Sequence, residues 1–145
     1  MTDEQNFLRD NALHLLDFDQ VRHFVSNFTT LPLSREMALT MEPSFDHAEI
    51  NKIKLETKEA AKILEFKKGG LSVSGRDIRP IINKAYKQSL LTGDEIYAIS
   101  IFIEGAISAK RIGTTAALET PIFRKLSKSI PDLGKLSKEI KSKIS

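Results

Sequence analysis

The sequence predicts an all-α fold, and three observations carry the prediction. Apolar residues recur at i, i+3, i+4 and i+7 in several windows. Strand-type alternation is confined to Leu71–Ser74, too short to anchor a sheet. One helix-start pattern then occurs three times: an apolar residue, Asp or Thr, two residues, Glu or Gln, and an apolar residue. It stands at Leu16–Val21, Phe45–Ile50 and Leu91–Ile96.

The third copy opens the stretch around which the chain is organised. Thr92 and Glu95 form a capping box, and Leu91 and Ile96 its hydrophobic staple. From there to Ile112, Ile96, Ile99, Ile103, Ala106 and Ile107 mark one face, while Ile101 and Phe102 make the opposite face apolar as well. A helix apolar nearly all round belongs in a core covered on several sides. Lys110 and Arg111 suit its C-terminal dipole, and Gly113 reads as its stop. Gly105 inside it implies close approach of another helix. The apolar run is too short for a bilayer and contains Glu104.

In chain order, Asp3–His14 reads as a weakly specified helix turning Phe7, Leu8 and Leu15 inward. Asp17, answered by Gln20, caps the next, whose inner stripe is Val21, Phe24, Val25 and Phe28. Pro32 breaks the chain. Ser34 caps a short helix through Thr40 that buries Met37, Leu39 and Met41, and Pro43 ends it. Asp46, answered by Glu49, opens a helix to about Lys67. Its stripe is Ile50, Ile53, Thr57, Ala60, Ala61 and Leu64, and its outer face alternates Lys52, Glu56, Lys58, Glu59, Lys62 and Glu65. Gly69 and Gly70 terminate it. Asp77 then caps a helix with Ile81, Ile82, Ala85 and Tyr86 on its buried side. After Gly113, TTAALET reads as a linker. Thr120 and Pro121 are an N-cap and first-turn pair, followed by Ile122, Phe123 and Leu126. Pro131 interrupts, and Asp132 opens a last helix with a narrow seam of Leu133, Leu136, Ile140 and Ile144. That helix ends with no cap signal, which reads as a fragment of a longer chain. Its seam is expected to pack on segments beyond this sequence.

Cysteine is absent, which removes disulfides and thiolate metal sites and fits a reducing compartment. The acidic start is no signal peptide, so the chain reads as cytoplasmic and not membrane-spanning. The net charge of +3 is uneven. Ile112–Ser145 holds seven basic residues (Arg124, Lys125, Lys128, Lys135, Lys138, Lys141 and Lys143) against Glu119, Asp132 and Glu139. The bland reading of this basic segment is a solvated helix face; the functional one is a surface for phosphates or an acidic partner. The glycines before Arg76 and Arg79 invite a phosphate-loop reading, which fails because no GK[ST] follows. A phosphate contact at Arg76 and Arg79 competes there with a structural turn. His14, His23 and His47 do not share a face suited to a metal, and no catalytic constellation is present.

The segments LDFDQVRHFV, SREMALTMEPSFDHAEI, ETKEAAKIL, GGLSVSGRDIRPIINKA and LLTGDEIYAISIFI occur in one order. In that order they resemble the N-terminal region of the type-two MutS family, bacterial relatives of the mismatch repair protein that end in a small MutS-related (Smr) endonuclease domain. The resemblance runs from Leu13 to Ile112, with a looser continuation to Ser145. It implies a helical core, or lever, region over 1–113, followed over 114–145 by a loop and basic helices leading toward a missing lever or clamp. For the parent protein it implies ATP and Mg, homodimer formation, and action on double-stranded or branched DNA in repair or suppression of recombination, or on collided ribosomes. This chain has no Walker A sequence, signature loop or Smr segment, so it is expected to be no enzyme and to hold no cofactor. Lys128, Lys135, Lys138, Lys141, Arg76 and Arg79 are the candidate nucleic-acid contacts. The alternative is a free-standing helical adaptor that binds an acidic protein through the Lys-rich C-terminal helix.

Overall fold

A computed structural model of the protein describes residues 7, 11–67, 73, 75–115 and 119–144. Among them are a helical stretch at 11–15, seven further helices and no strand; the seven are α1 (Phe18–Ser26), α2 (Pro32–Leu39), α3 (His47–Lys67), α4 (Arg79–Tyr86), α5 (Gly93–Gly113), α6 (Pro121–Ser129) and α7 (Gly134–Ile144). The fold is all-helical, as the periodicity predicts. Two compact units meet in sequence between Pro43 and Ser44. The boundary read at 113/114 falls inside the second unit.

The first unit pairs α1 with α2. Small residues let the two helices approach: Ser26 and Ala38 are the buried positions. The Arg22 side chain closes the pair, its Nε donating to the Met41 carbonyl (2.8 Å) and its Nη1 to Asp19 (2.8 Å). The bulky stripe predicted to face inward faces outward instead: Phe24 and Phe28 are 64% and 72% exposed. Phe7, Leu15 and Met37 are exposed as well, and Leu8 lies outside the described residues. Two short helices that meet on a Ser/Ala face cannot also enclose a Phe stripe on the far side.

Two start signals in this unit also fail, for a backbone reason. Residues 11–15 are already helical. Asp17 follows in the left-handed region (φ 49°, ψ 38°) and makes no side-chain cap. An N-cap needs an extended backbone, and here one helical segment turns straight into the next. Asp tolerates this conformation, and the Asp17 carbonyl accepts from the Gln20 and Val21 N–H groups. Pro32 does not break a helix but begins one, at the first-turn position its fixed φ favours. Ser34 therefore lies inside α2 and does not cap it.

In the second unit α5 is central. Both halves of its capping box form: Glu95 N–H donates to Thr92 Oγ1 (3.3 Å), and Thr92 N–H donates to Glu95 Oε2 (2.7 Å). Between Glu95 and Gly113 only Tyr97, Glu104 and Arg111 are exposed, one line at heptad spacing. The rest is covered, with α6 and α7 packed against α5 and α3 packed against α6. Ile63 of α3, Ile112 of α5 and Phe123 of α6 meet in the core.

The glycines of α5 serve close approach. A Cβ on Gly105 would come within 2.8 Å of Val73 Cγ1, so the approaching group is a loop side chain and not a second helix. A Cβ on Gly113 would lie 1.7 Å from Ser127 Oγ and 2.3 Å from Ser127 Cβ. Gly113 is the last residue of α5, and its role is to seat α6.

α3 is turned from its predicted orientation. Asp46 caps it as read, accepting from the Glu49 N–H (2.8 Å). Glu49 answers through a relay: the Ser44 hydroxyl donates to the Glu49 carboxylate and accepts from the Asp46 N–H. Ile53, Thr57, Ala60, Ala61 and Leu64 are nevertheless exposed, and the buried pair is Glu59 and Ile63. Glu59 carries the reason. Its Oε1 accepts the Ile122 N–H (3.1 Å) and its Oε2 the Phe123 N–H (2.9 Å), capping α6 from 63 residues upstream. Lys62 Nζ follows on the same side, donating to the Glu119 carbonyl (3.3 Å).

On α4 only Ile81 of the predicted inner residues is buried; Ile82, Ala85 and Tyr86 are exposed. In α6 the buried position is Ser127, under Gly113, and Leu126 is exposed. Asp132 opens α7 by accepting the Gly134 N–H (3.0 Å). α7 lies along α5, with Ser137 buried; of the predicted seam Leu133 and Ile140 are half-buried within the chain and Leu136 is exposed. Gly69, Gly70, Leu71, Ser72, Ser74, linker residues 116–118 and the Ile144 side chain lie outside the described residues.

The Gly113 contact yields a direct test. Gly113→Ala is expected to destabilise the protein by about 1–3 kcal/mol, the range for an inserted methyl in a tightly packed site. Ser127→Gly in that background should recover most of the loss, read as the midpoint of urea unfolding. Equal stability of Gly113→Ala and the parent chain would contradict the contact.

Candidate nucleic-acid interface

The six basic residues picked out in the sequence fall in two places. Arg76 and Arg79 flank the start of α4. Asp77 Oδ1 accepts the backbone N–H of Arg79 (2.9 Å), and the carboxylate takes the Arg79 guanidinium from two sides, Nε at 3.0 Å and Nη2 at 2.7 Å. These hydrogen bonds from the Arg79 side chain and backbone hold the Asp77 carboxyl below its ordinary value. Arg79 is thus anchored in a structural turn, the bland alternative read from the sequence. Arg76 is exposed beside it.

Lys128 lies on α6, and Lys135, Lys138 and Lys141 lie on α7; all four are exposed. Spacing by three spreads the α7 lysines across about 120° of the helix surface. Lys141 flanks the packed side and pairs with Glu104 of α5. Lys128, Lys135 and Lys138 form no ion pair among the described residues. Lysines held on packed helices without a counter-charge attract phosphates at long range and gain by releasing counterions. Such contacts position a backbone but read no sequence.

Two features were not singled out in the sequence. Glu59 was hidden in an alternating Lys/Glu face that looks solvated. The second is an open groove of about 470 Å³ beside α4, lined by Ile78, Arg79, Ile82, Asn83, Tyr86 and Phe102. Of its lining, Ile82 and Tyr86 were read in the sequence as part of the buried side of α4. Among the described residues no group of three or more His, Cys, Asp or Glu side chains is placed to hold a metal ion. No described helix is long and apolar enough to cross a membrane.

No protein-family model matches the chain. Over 135 residues, 90% of its length, the chain is 29% identical to Endonuclease MutS2 of Bacillus mycoides (strain KBAB4) and of Bacillus cereus (strain B4264). Identity to Endonuclease MutS2 of Bacillus anthracis (strain A0248) is 28% over the same length. The chain spans only 17% of the length of these relatives. It is therefore similar to a region of MutS2-type proteins.

Electrostatics at the α4–α5 junction predicts an acid limb. The Thr92 backbone N–H, with help from Lys84 at 2.9 Å, lowers the Glu95 carboxyl below its ordinary 4.5. A carboxyl depressed on folding contributes stability above its unfolded value and loses it as pH falls through the folded one. Stability from Glu95 and Asp77 should thus be level near neutrality and decline below about pH 4.5. Glu95→Gln with Asp77→Asn should flatten this limb in unfolding midpoints measured from pH 7 to pH 3. An unchanged limb would assign acid sensitivity elsewhere.

Proposed function

We propose that this chain is a non-catalytic helical module of a MutS2-type DNA-binding protein, equivalent to its N-terminal core or lever region, and that it touches nucleic-acid backbone through Lys128, Lys135 and Lys138. The observation that carries the proposal is the match of 90% of this chain to 17% of the relatives, the proportion of one module in a much longer protein. The common order of motifs from Leu13 to Ile112 supports the N-terminal placement. The exposed lysines on α6 and α7 support a phosphate-facing side. Lys141 and Arg79 contribute less, because Glu104 and Asp77 already neutralise them.

ATP hydrolysis with Mg, endonuclease action, homodimer formation, and roles in DNA repair, recombination control or ribosome rescue belong on this reading to the remainder of a parent protein in the cytoplasm. This chain alone should turn over neither ATP nor DNA.

Fluorescence anisotropy with labelled duplex and four-way-junction DNA tests the assignment. Binding is expected at a Kd on the order of 10⁻⁴–10⁻⁶ M at physiological salt, the non-specific range. Lys128→Glu, Lys135→Glu and Lys138→Glu together should abolish it, while each single Lys→Gln change, which leaves binding measurable, should flatten the slope of log K against log salt by roughly 0.9. Lys141→Glu, Arg76→Ala and Arg79→Ala should each do less. Loss of binding with Arg76→Ala or Arg79→Ala, and none with the triple variant, would move the contact to the turn before α4. Binding to an acidic protein with none to DNA would favour the adaptor reading.

A further inference from the structure

Two Thr residues in this chain stand at helix N-caps with opposite outcomes. Thr92 turns its hydroxyl onto α5 with φ −77° and ψ 162°. Thr120, at the head of α6, has φ −132° and ψ 71° and makes no side-chain cap. Its hydroxyl is sealed in, with the residue 1% exposed, and Oγ1 finds no partner among the described residues. The N–H groups it would serve are taken by Glu59, one carboxylate oxygen each on Ile122 and Phe123. The residue before a proline ordinarily adopts ψ of about 120–160°. That is also the extended conformation of a capping Thr, and Pro121 follows Thr120.

We propose that α6 has two interchangeable caps and that Thr120 is the hinge between them. In the closed state Glu59 holds α6 against α3, and the Thr120 hydroxyl is idle. In the released state Glu59 withdraws into water, and ψ of Thr120 turns toward the value seen at Thr92. Its Oγ1 then accepts from the first turn of α6. The helix leaves α3 with one of its two N-terminal N–H groups still bonded, now to Thr120, and the other given to water. Because the rotation is at the Thr120–Pro121 junction, it changes the direction of the chain entering α6 and leaves α6 itself helical. The device is a clasp whose opening keeps the secondary structure intact. It carries Lys128 on the moving helix.

A double-mutant cycle between Glu59→Ala and Thr120→Val tests this, since Val keeps the shape of Thr and removes only the hydroxyl. In the parent chain Thr120→Val should be neutral or stabilising, because a buried hydroxyl without a partner is removed. In the Glu59→Ala background the same change should raise the unfolding equilibrium constant about fivefold, the usual effect of losing a working cap. The Phe123 amide should stay protected from hydrogen exchange in Glu59→Ala and lose protection in the double variant. If Glu59→Ala does not fold, Glu59→Gln replaces it; an uncharged acceptor should give the same sign with a smaller size. Equal cost of Thr120→Val in both backgrounds, or no cost in either, would overturn the proposal.

Discussion

The second unit depends on one carboxylate. Glu59 is 8% exposed, and a buried charge is costly unless hydrogen bonds replace its water. Here they do: two backbone N–H groups at the head of α6 bond its two oxygens, and the positive end of that helix adds its dipole. The contact fixes which side of α3 faces inward. Ile63, one turn on from Glu59, is thereby brought to Ile112 and Phe123. α6 can take that place only because Gly113 leaves room for Ser127. A hydrogen bond and a missing methyl group together set α6 between α3 and the end of α5.

The seating of α6 governs the path of the chain from Ile130 onward. Lys110 Nζ donates to the Ile130 carbonyl (2.7 Å), which ties the exit of α6 back to α5 just before Pro131. Asp132 then starts α7, and Glu104 pairs with Lys141 on its flank. The result sorts the lysines of the basic segment. Lys141, on the flank of α7, is taken up by the Glu104 carboxylate. Lys128, Lys135 and Lys138 are left on the outside with no ion pair among the described residues. The same packing that stabilises the unit therefore decides which cations remain available.

What the sequence made legible was local. The Thr92–Glu95 box, the Asp46 and Asp132 starts and the coverage of α5 on most sides were readable, because each is settled within one helix turn or one helix length. Asp77 bonds the Arg79 N–H but lies one residue before the N-cap, Ile78, and is not the cap that was read. What it hid was tertiary. The Lys/Glu alternation on α3 has the same pattern whether a carboxylate meets water or the N-terminus of a helix 63 residues away. Periodicity likewise located the Val21–Phe28 and Ile82–Tyr86 rows but not the side on which they lie, since small residues such as Ser26 and Ala38 can make the closer contact. Asp17 failed as a cap because the residues before it are helical, a matter of backbone conformation that residue types do not specify. For the candidate interface, the basic residues were readable and their neutralisation was not: Glu104 is 37 positions from Lys141 in sequence.

Stability must then be unevenly distributed. In the first unit two short helices share a small buried face and one bridging Arg22, and their bulky side chains lie in water. In the second, a 21-residue helix is covered on most sides, and its neighbours are locked by long-range hydrogen bonds. Local opening free energies track such buried contacts. The α1–α2 pair belongs at the low end of that scale, and α5 with the helices on it at the high end. Lys128, Lys135 and Lys138 all sit on helices of the better-held unit, Lys128 on α6 and the other two on α7.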